Sequence, residues 1–347
     1  MHASRSPLLV IYTGGTLGMV ETPHGLAPGD NFESRLRDML NTLTPARRAS
    51  LPAFDFLATA SPIDSSSACP SDWQALAALI EAHQQTYSGI VILHGTDTLS
   101  WTASSLAFQL QGIDKAVVVT GAMHPLEAEH SDALANVEGA LRFAAQPELQ
   151  EVALYFAGRL LRGVRTRKWQ TQAEDAFISP NYPLLGELVD GAPVLYPGRG
   201  LADHQRGAQR FELPDYRVLG PSPVVRITLW PGMTARQLGS MLLDDTVSGA
   251  LLEVWGGGNI ADDPALVEVL AQARGEGKLV AAISQCPQGR IEIGTYAAGQ
   301  GLMDAEVLSG DDMTPEAAMT KLIHLLAQPL SDAERRRHFL TSLIGER

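Results

Sequence analysis

Cysteine is scarce in this sequence. Among 347 residues the only cysteines are Cys69 and Cys286, and they lie far apart. Two such cysteines cannot form a disulfide framework or a CxxC metal site. Because disulfides are of little use under reducing conditions, we expect a cytoplasmic protein, with Cys286 as a buried thiol.

Long apolar runs and an excess of basic residues are also missing. No stretch approaches the roughly 20 apolar residues of a membrane helix, and the N-terminus has no signal-peptide pattern. The net charge is −13, from 26 basic and 39 acidic residues. Such a balance argues against nucleic-acid or anionic-membrane partners, and it says little about a small-molecule substrate.

The segments that are present alternate between strand-like and helix-like patterns. This order predicts an α/β fold with a larger N-terminal parallel-sheet domain, Rossmann- or flavodoxin-like, and a smaller C-terminal α/β domain. A stretch rich in Pro and Gly interrupts the rhythm after Tyr182. The predicted domains are residues 1–197 and 222–347, joined by a linker at 198–221.

An apolar run, Leu8–Tyr12, ends in Thr13-Gly14-Gly15-Thr16. A strand that feeds such a turn places hydroxyls and backbone N–H groups at the carboxyl end of a sheet, where open α/β sheets bind ligands. The dinucleotide fingerprint GxGxxG is broken, because Thr13 stands in place of its first glycine. The chain also has no GxxxxGK[ST] phosphate loop, so we expect no nucleotide cofactor.

A second turn, His94-Gly95-Thr96-Asp97-Thr98, repeats the design after the strand Ile90–Leu93. Thr96 is predicted at a helix N-terminus, which favours developing negative charge. Asp97 or Thr98 as a plain helix cap is an equally good interpretation of the residues alone.

A threonine nucleophile needs a base, and Lys168 is the candidate. It ends the segment from Arg159 to Lys168, whose four arginines would disfavour a charged lysine. A solvated basic loop is the alternative, and spacing alone favours it.

Several motifs, in this order along the chain, resemble those of the bacterial-type L-asparaginase family, and details such as Asp64-Ser65-Ser66 resemble its cytoplasmic type I branch. The motifs are TGGTLG, IDSS, HGTDTL, VVVTGAMHP and RGVRTRK. The resemblance implies two α/β domains, no cofactor, no metal ion and a homodimer or homotetramer.

The resemblance also implies roles for individual residues. Thr16 is the implied nucleophile on the side-chain amide carbon, and Thr96, Asp97 and Lys168 form a second triad. The implied substrate-binding residues are Gly15, Asp64, Ser65, Gly95, Asp97 and Asn259, with Asn259 reaching a neighbouring active site or simply forming a turn.

The sequence departs from the family pattern in the loop after Thr16. The family places a tyrosine there, whereas this chain has no tyrosine between Tyr12 and Tyr87 and carries Leu26 at the matching place. We therefore consider His24, in the same loop, or a bound water molecule as the group that takes the proton from Thr16.

A second departure concerns regulation. Some type I relatives bind free asparagine at a second site through an arginine in the second domain, and Glu253 stands at that place here. A carboxylate would repel the carboxylate of such a ligand, so we predict that this chain lacks the allosteric site.

These observations predict an amidohydrolase that converts L-asparagine into L-aspartate and ammonia through a threonyl acyl-enzyme. Glutamine is the alternative substrate, since one methylene is worth only about 1–3 kcal/mol of discrimination. A catalytically weakened amino-acid sensor is a less favoured alternative, supported by the missing loop tyrosine alone.

Overall fold

A computed structural model describes residues 6–206, 209–295 and 297–347. The chain forms two compact units, which divide between Leu213 and Pro214. The strands of the first unit are β1 (Leu8–Tyr12), β2 (Met19–Thr22), β3 (Gly25–Pro28), β4 (Phe54–Ala58), β5 (Ile90–Leu93), β6 (Val117–Thr120), β7 (Val152–Phe156), β8 (Arg159–Arg162), β9 (Arg167–Lys168), β10 (Phe177–Ile178), β11 (Gly186–Val189) and β12 (Ala192–Leu195).

The helices of the first unit cover both faces of its main sheet. They are α1 (Phe32–Asn41), α2 (Pro45–Ala49), α3 (Pro70–His83), α4 (Leu99–Gln109) and α5 (Ala133–Ala144). Helix α3 begins after Cys69, because Pro70 suits the first helical turn and Asp72 accepts a hydrogen bond from the Cys69 amide at 2.8 Å.

The eight-stranded sheet has the order β12-β11-β8-β7-β6-β5-β1-β4. Strands β4, β1, β5, β6 and β7 are parallel, which gives the flavodoxin-like order 2-1-3-4-5 and confirms the predicted fold class. The chain leaves β1 toward β4 and then returns to the other side of β1 as β5. The carboxyl ends of β1 and β5 therefore flank the topological switch point, where such sheets bind ligands.

The segment from Arg159 to Lys168 is part of the sheet system and not a solvated loop. Strand β8 pairs antiparallel with β7, and Arg162 and Arg165 are each only 4% exposed. Arg162 donates to the buried carboxylate of Glu151 at 2.8 Å, so its charge is compensated inside the unit. This pairing explains how the Arg162 charge is tolerated in a buried strand.

Several described residues between 198 and 213, inside the predicted linker, are hydrogen bonded to earlier parts of the first unit. The Leu201 amide donates to Glu151 at 3.0 Å, and the amides of Arg210 and Glu212 donate to carbonyls of residues 111 and 109. The predicted domain limits at 197 and 222 stay predictions from the sequence.

The second unit is a smaller α/β unit, as predicted, with a parallel sheet in the order β13-β14-β15-β16. Its strands are β13 (Val224–Thr228), β14 (Gly249–Val254), β15 (Leu279–Ser284) and β16 (Leu308–Ser309). Its helices are α6 (Ala235–Leu242), α7 (Pro264–Gly275), α8 (Gln300–Asp304), α9 (Pro315–Leu326) and α10 (Asp332–Leu340).

Cys286 is exposed just after β15, which corrects the prediction of a buried thiol. The turn that follows β15 faces solvent, and the Cys286 amide donates to the Ser284 hydroxyl at 3.0 Å. In the part of the chain that the structure describes, no helix combines the length and apolar character that crossing a bilayer requires.

Candidate active site

Two glycine turns meet at the switch point between β1 and β5. A β-carbon at Gly15 would lie 2.5 Å from both the Cα and the N of Gly95, so only glycines allow the turns to approach this closely. Gly14 and Gly15 also have φ values of 116° and 96°, which L side chains rarely adopt. The sequence places Thr16 and Thr96 directly after these two contacts.

A third loop, which follows β4, joins the two turns. A β-carbon at Gly95 would lie 2.4 Å from the Ser65 hydroxyl oxygen, and one at Gly14 would lie 2.7 Å from the Ile63 carbonyl. The Thr98 hydroxyl donates to the Ser65 carbonyl at 2.8 Å. The structure therefore brings together the segments that carry Thr16, Ser65 and Thr96.

The two threonines of the first turn differ in their surroundings. Thr13 is 1% exposed, and its hydroxyl donates to the Leu93 carbonyl at 3.1 Å. Thr16 is half-buried and opens a short 3-10 turn, Thr16–Gly18. Thr13 thus ties β1 to β5, which leaves Thr16 as the hydroxyl of this turn that is available to a ligand.

Lys168 lies next to both members of the second turn. Its Nζ is 2.8 Å from the Thr96 hydroxyl and 2.7 Å from an Asp97 carboxylate oxygen. Thr96 is 7% exposed, whereas the Asp97 side chain is 61% exposed. Strand β9, which pairs with β10, carries the lysine, so the fold places Lys168 beside Asp97 and Thr96, which lie 71 and 72 positions before it in the sequence.

Thr98 occupies the cap position of α4, but its side chain makes no cap hydrogen bond. Neither side chain therefore acts as a helix cap. Asp97 forms an ion pair with Lys168, and the Thr98 hydroxyl donates to the Ser65 carbonyl in the loop after β4.

His94 supports the second turn from behind, which the sequence reasoning missed. It is 3% exposed, and burial lowers the pKa of its imidazole. Its Nδ1 lies 2.7 Å from the Gly95 carbonyl, which can only accept, so Nδ1 carries the proton. Nε2 then accepts from the Thr102 hydroxyl at 3.1 Å. The neutral ring thereby fixes the peptide that joins Gly95 to Thr96.

Asp64 and Ser65 sit at the start of a short 3-10 turn. Asp64 is exposed, and its carboxylate accepts from the amide and the hydroxyl of Ser66 at 3.1 and 2.9 Å. Ser65 is 4% exposed and lies against Gly95. The loop thus offers an exposed carboxylate and an enclosed hydroxyl beside the two threonine turns.

The loop after Thr16 forms a hairpin, β2–β3, with His24 in its exposed turn. The His24 amide donates to the Thr22 hydroxyl at 3.2 Å, within the same turn. Strand β2 is four residues long and rises about 3.3 Å per residue, so the turn that carries His24 lies at the far end of the hairpin from Met19 and Thr16. The structure does not pair His24 with the other candidate residues, and its role stays a prediction.

Tyr12 is the tyrosine nearest to Thr16 in the sequence. Its ring stacks on Phe32 with centroids 4.3 Å apart, and a β-carbon at Gly18 would lie 1.9 Å from its hydroxyl oxygen. Burial raises the pKa of Tyr12, and the nearby charge of Arg35 opposes that rise. Such a phenol is poorly suited to take a proton from Thr16 at neutral pH.

Asn259 and Glu253 belong to the second unit. Asn259 closes the glycine turn after β14, where its amide donates to the Trp255 carbonyl at 2.9 Å. Its side-chain oxygen is buried and has no hydrogen-bond partner among the residues that the structure describes. Glu253 accepts from Arg226 at 2.7 Å and from the Thr228 hydroxyl, so its carboxylate is already bound.

Among the described residues, no group of three or more His, Cys, Asp or Glu side chains could hold a metal ion. The predicted absence of a cofactor stays a prediction.

Family models match most of the chain. The model described as "Asparaginase, N-terminal" matches residues 7–198, and that described as "Glutaminase/Asparaginase C-terminal domain" matches residues 223–339. L-asparaginase 1 of Escherichia coli K12 is 37% identical over 342 residues, which span 99% of this chain and 98% of that protein.

Two solved structures give the same result. L-asparaginase I from Vibrio cholerae has a TM-score of 0.87 and 36% identity, with 99% of each chain covered. The thermostable L-asparaginase from Thermococcus kodakarensis has a TM-score of 0.84 and 29% identity, with 98% of each chain covered. The chain belongs to the asparaginase family.

Proposed function

We propose that this chain hydrolyses L-asparagine to L-aspartate and ammonia, with Thr16 as the nucleophile. The observation that carries the proposal is the meeting of two glycine-flanked threonines at the switch point, one of them bound to Lys168 at 2.8 Å. Acyl transfer needs a nucleophile, a proton acceptor and oxyanion donors around one carbonyl. Family membership and full-length likeness to L-asparaginases support the substrate.

In the first half-reaction, the Thr16 oxygen attacks the side-chain amide carbon of asparagine. The tetrahedral intermediate places negative charge on the former carbonyl oxygen, where the backbone N–H of Thr96 is a suitable donor. Collapse breaks the carbon–nitrogen bond, and the nitrogen leaves as ammonia with the proton taken from Thr16. An aspartyl ester on Thr16 remains.

In the second half-reaction, water hydrolyses that ester. The Thr96 hydroxyl, hydrogen bonded to Lys168, orients the water or transfers its proton, and Lys168 is the proposed base. Asp97 stabilises the ammonium form that results, at 2.7 Å from Nζ. The ester bond between the acyl carbon and the Thr16 oxygen then breaks, the Thr16 oxygen takes back the proton held by Lys168, and aspartate leaves as its β-carboxyl group loses a proton to solvent.

Recognition of the amino-acid backbone falls to the loop after β4. The exposed Asp64 carboxylate suits the α-ammonium group, with Asp97 as a second acceptor, and the Ser65 hydroxyl suits the α-carboxylate. Gly15 and Gly95 contribute backbone groups at the point where their turns touch.

The group that first accepts the Thr16 proton is a separate hypothesis. His24 lies in the hairpin that follows Thr16, and its exposed turn leaves its ring free to approach the site when the hairpin bends. A water molecule is the alternative. If His24→Ala keeps near-normal turnover across neutral pH, the His24 hypothesis is wrong.

Asn259 is proposed to act at the active site of a neighbouring chain in a homodimer or homotetramer. Its side-chain oxygen is enclosed within its own chain and has no hydrogen-bond partner among the described residues, so this role requires the side chain to turn toward the neighbouring chain. A cytoplasmic location and the absence of an allosteric asparagine site stay predictions from the sequence.

Ammonia release from L-asparagine, L-glutamine and their D-isomers tests the proposal. We expect the highest kcat/KM with L-asparagine and no turnover in Thr16→Ala. A higher kcat/KM with L-glutamine would make the chain a glutaminase. Binding of L-asparagine without any ammonia release by the unmodified chain would support the sensor.

A further inference from the structure

The three residues that follow the proposed nucleophile have their carbonyl groups bound from outside their own turn. The Leu17 carbonyl accepts from the Leu126 amide at 3.0 Å, and the Gly18 carbonyl accepts from the Gly29 amide at 3.1 Å. Leu126 belongs to the loop after β6, and Gly29 follows the hairpin. The backbone next to Thr16 is therefore held by two separate segments.

One side chain of α1 completes this arrangement. Arg35 donates from Nη1 to the Gly18 carbonyl at 3.0 Å and from Nη2 to the Met19 carbonyl at 3.3 Å. The same guanidinium binds both carboxylate oxygens of Glu127, each at 2.5 Å. Planar, bidentate pairing of this kind fixes the orientation of the arginine as well as its position.

Glu127 belongs to the same loop as Leu126, and that loop is itself anchored. Asp132 accepts hydrogen bonds from the Met123 and His124 amides at 2.9 and 3.0 Å. Arg35 thus connects the start of the hairpin to a rigid loop at the carboxyl end of β6. Its side chain is 18% exposed, so most of the guanidinium is shielded from solvent.

A second arginine on the same helix provides a contrast. Arg37 pairs with Glu33 at 2.8 Å, four residues earlier in α1, and both side chains are more than 40% exposed. This pair is an ordinary surface ion pair, which contributes little to stability. Arg35 differs because its donors reach backbone carbonyls next to Thr16.

We propose that Arg35 and Glu127 are positioning residues for Thr16. Together they clamp the backbone of Leu17–Met19, and this clamp fixes both the nucleophile Thr16 and the first residues of the β2–β3 hairpin. The inference rests on the proposed function of Thr16. Neither residue touches the substrate in this account. Arg35 acts through the Gly18 and Met19 carbonyls, and Glu127 acts by orienting Arg35.

The test measures asparagine kinetics and amide hydrogen exchange on the full chain. For Arg35→Gln, we expect kcat to fall by about tenfold to a hundredfold, because a small misplacement of a reacting group has effects of that size. KM should change by less than about threefold, since the substrate contacts remain. Exchange should accelerate in β2–β3 and stay unchanged in β5 and β7.

Three further variants separate the parts of the clamp. Glu127→Gln should lower kcat by about twofold to fivefold, the range of an exposed ion pair. Arg35→Lys should restore only part of the loss, because an ammonium cannot reproduce the planar fork. The exchanged pair Arg35→Glu with Glu127→Arg should stay impaired, because it restores the charges and not the donors to the carbonyls.

Glu33→Gln is the matched control, since it removes the other arginine–glutamate pair of α1. It should leave kcat and the hairpin exchange at their normal values. Normal hairpin exchange in Arg35→Gln, or full activity in the exchanged pair, would overturn the clamp. Hydrogen exchange can be measured without turnover. An unmodified chain that releases no ammonia from asparagine would therefore overturn the proposed function, and the exchange measurement would still test the clamp.

Discussion

Lys168 in the first unit and Lys321 in the second each donate to one carboxylate, and their surroundings differ. Lys168 is 23% exposed, its partner Asp97 is 61% exposed, and a threonine hydroxyl lies at 2.8 Å. Lys321 and its partner Glu346 are both 0% exposed. The same pair of residue types is therefore accessible to a ligand in one unit and sealed from solvent in the other.

The buried pair is fully satisfied by the chain itself. Lys321 also donates to the Phe339 and Thr341 carbonyls at 2.9 and 2.7 Å, and Glu346 accepts from the Leu343 and Ile344 amides. These contacts bind the end of the chain to α9. Burial lowers the pKa of Lys321, although the charge of Glu346 opposes this effect.

Exposure of the pair and a reactive hydrogen-bond partner distinguish the lysine proposed for catalysis from the structural one. Lys168 has a hydroxyl of the proposed site as a partner, whereas the other partners of Lys321 are backbone carbonyls that cannot react. Substitution of the first lysine should therefore affect turnover, and substitution of the second should affect folding.

The largest expected effect is on turnover. Lys168→Met should lower kcat by about 10²–10⁴, the usual contribution of a general base, with little change in the thermal unfolding temperature. Steady-state ammonia release and calorimetry measure the two quantities. A kcat within tenfold of normal would show that the Lys168–Asp97 pair is structural, like the pair of Lys321 and Glu346.

Lys321→Met should show the reverse pattern. It leaves the Glu346 carboxylate buried without its cation, which costs about 3–5 kcal/mol of the free energy of unfolding. At temperatures where the variant is folded, kcat per folded molecule should be normal. Denaturant titration followed by active-site titration measures both, and a folded variant with normal stability would contradict the account.

A smaller effect is expected behind the second turn. Thr102→Val leaves His94 Nε2 buried without its donor, at a cost of about 1–3 kcal/mol, and loosens the Gly95–Thr96 peptide. We expect kcat to fall by about tenfold, as for other small misplacements. Thr320→Val is the control, because this equally buried threonine of α9 bonds only backbone carbonyls. An equal loss of kcat in both variants would contradict the proposal that His94 positions the Gly95–Thr96 peptide.

The smallest expected effect is a pH dependence of the free energy of unfolding. Burial opposes ionisation of Glu346, but the charge and hydrogen bond of Lys321 and the amides of Leu343 and Ile344 lower its pKa overall. The carboxylate therefore stabilises the fold above its unfolded-state pKa of about 4.3, and this stabilisation is lost as the pH falls through the lower, folded-state pKa. The stability difference between the unmodified chain and Glu346→Gln should narrow below pH 4, about the unfolded-state value. A constant difference would contradict this assignment.

The two strands that lead into the threonine turns could be predicted to the residue. The bounds of β1 and β5 are those expected from the sequence, because a parallel strand covered on both faces is a short apolar run with clear ends. The threonine turns follow directly from these two runs. Their approach to each other follows from the strand order.

Other features of the fold and the site could not be predicted, because they depend on contacts between residues that are far apart in the sequence. Strand β8 is arginine-rich, and its burial depends on Glu151, which the sequence does not mark as its partner. Arg35 and Glu127 are 92 positions apart, so only the fold brings them together. The role of His94 depends on a ring orientation that its neighbour Thr102 determines.

The most direct test of the central claim is to trap the acyl-enzyme. The chain is mixed with L-asparagine, quenched in acid within a single turnover, digested and analysed by mass spectrometry. We expect an aspartyl group on the peptide that contains Thr16, and its absence in Thr16→Ala. An aspartyl group on Thr96, or normal turnover by Thr16→Ala, would contradict it.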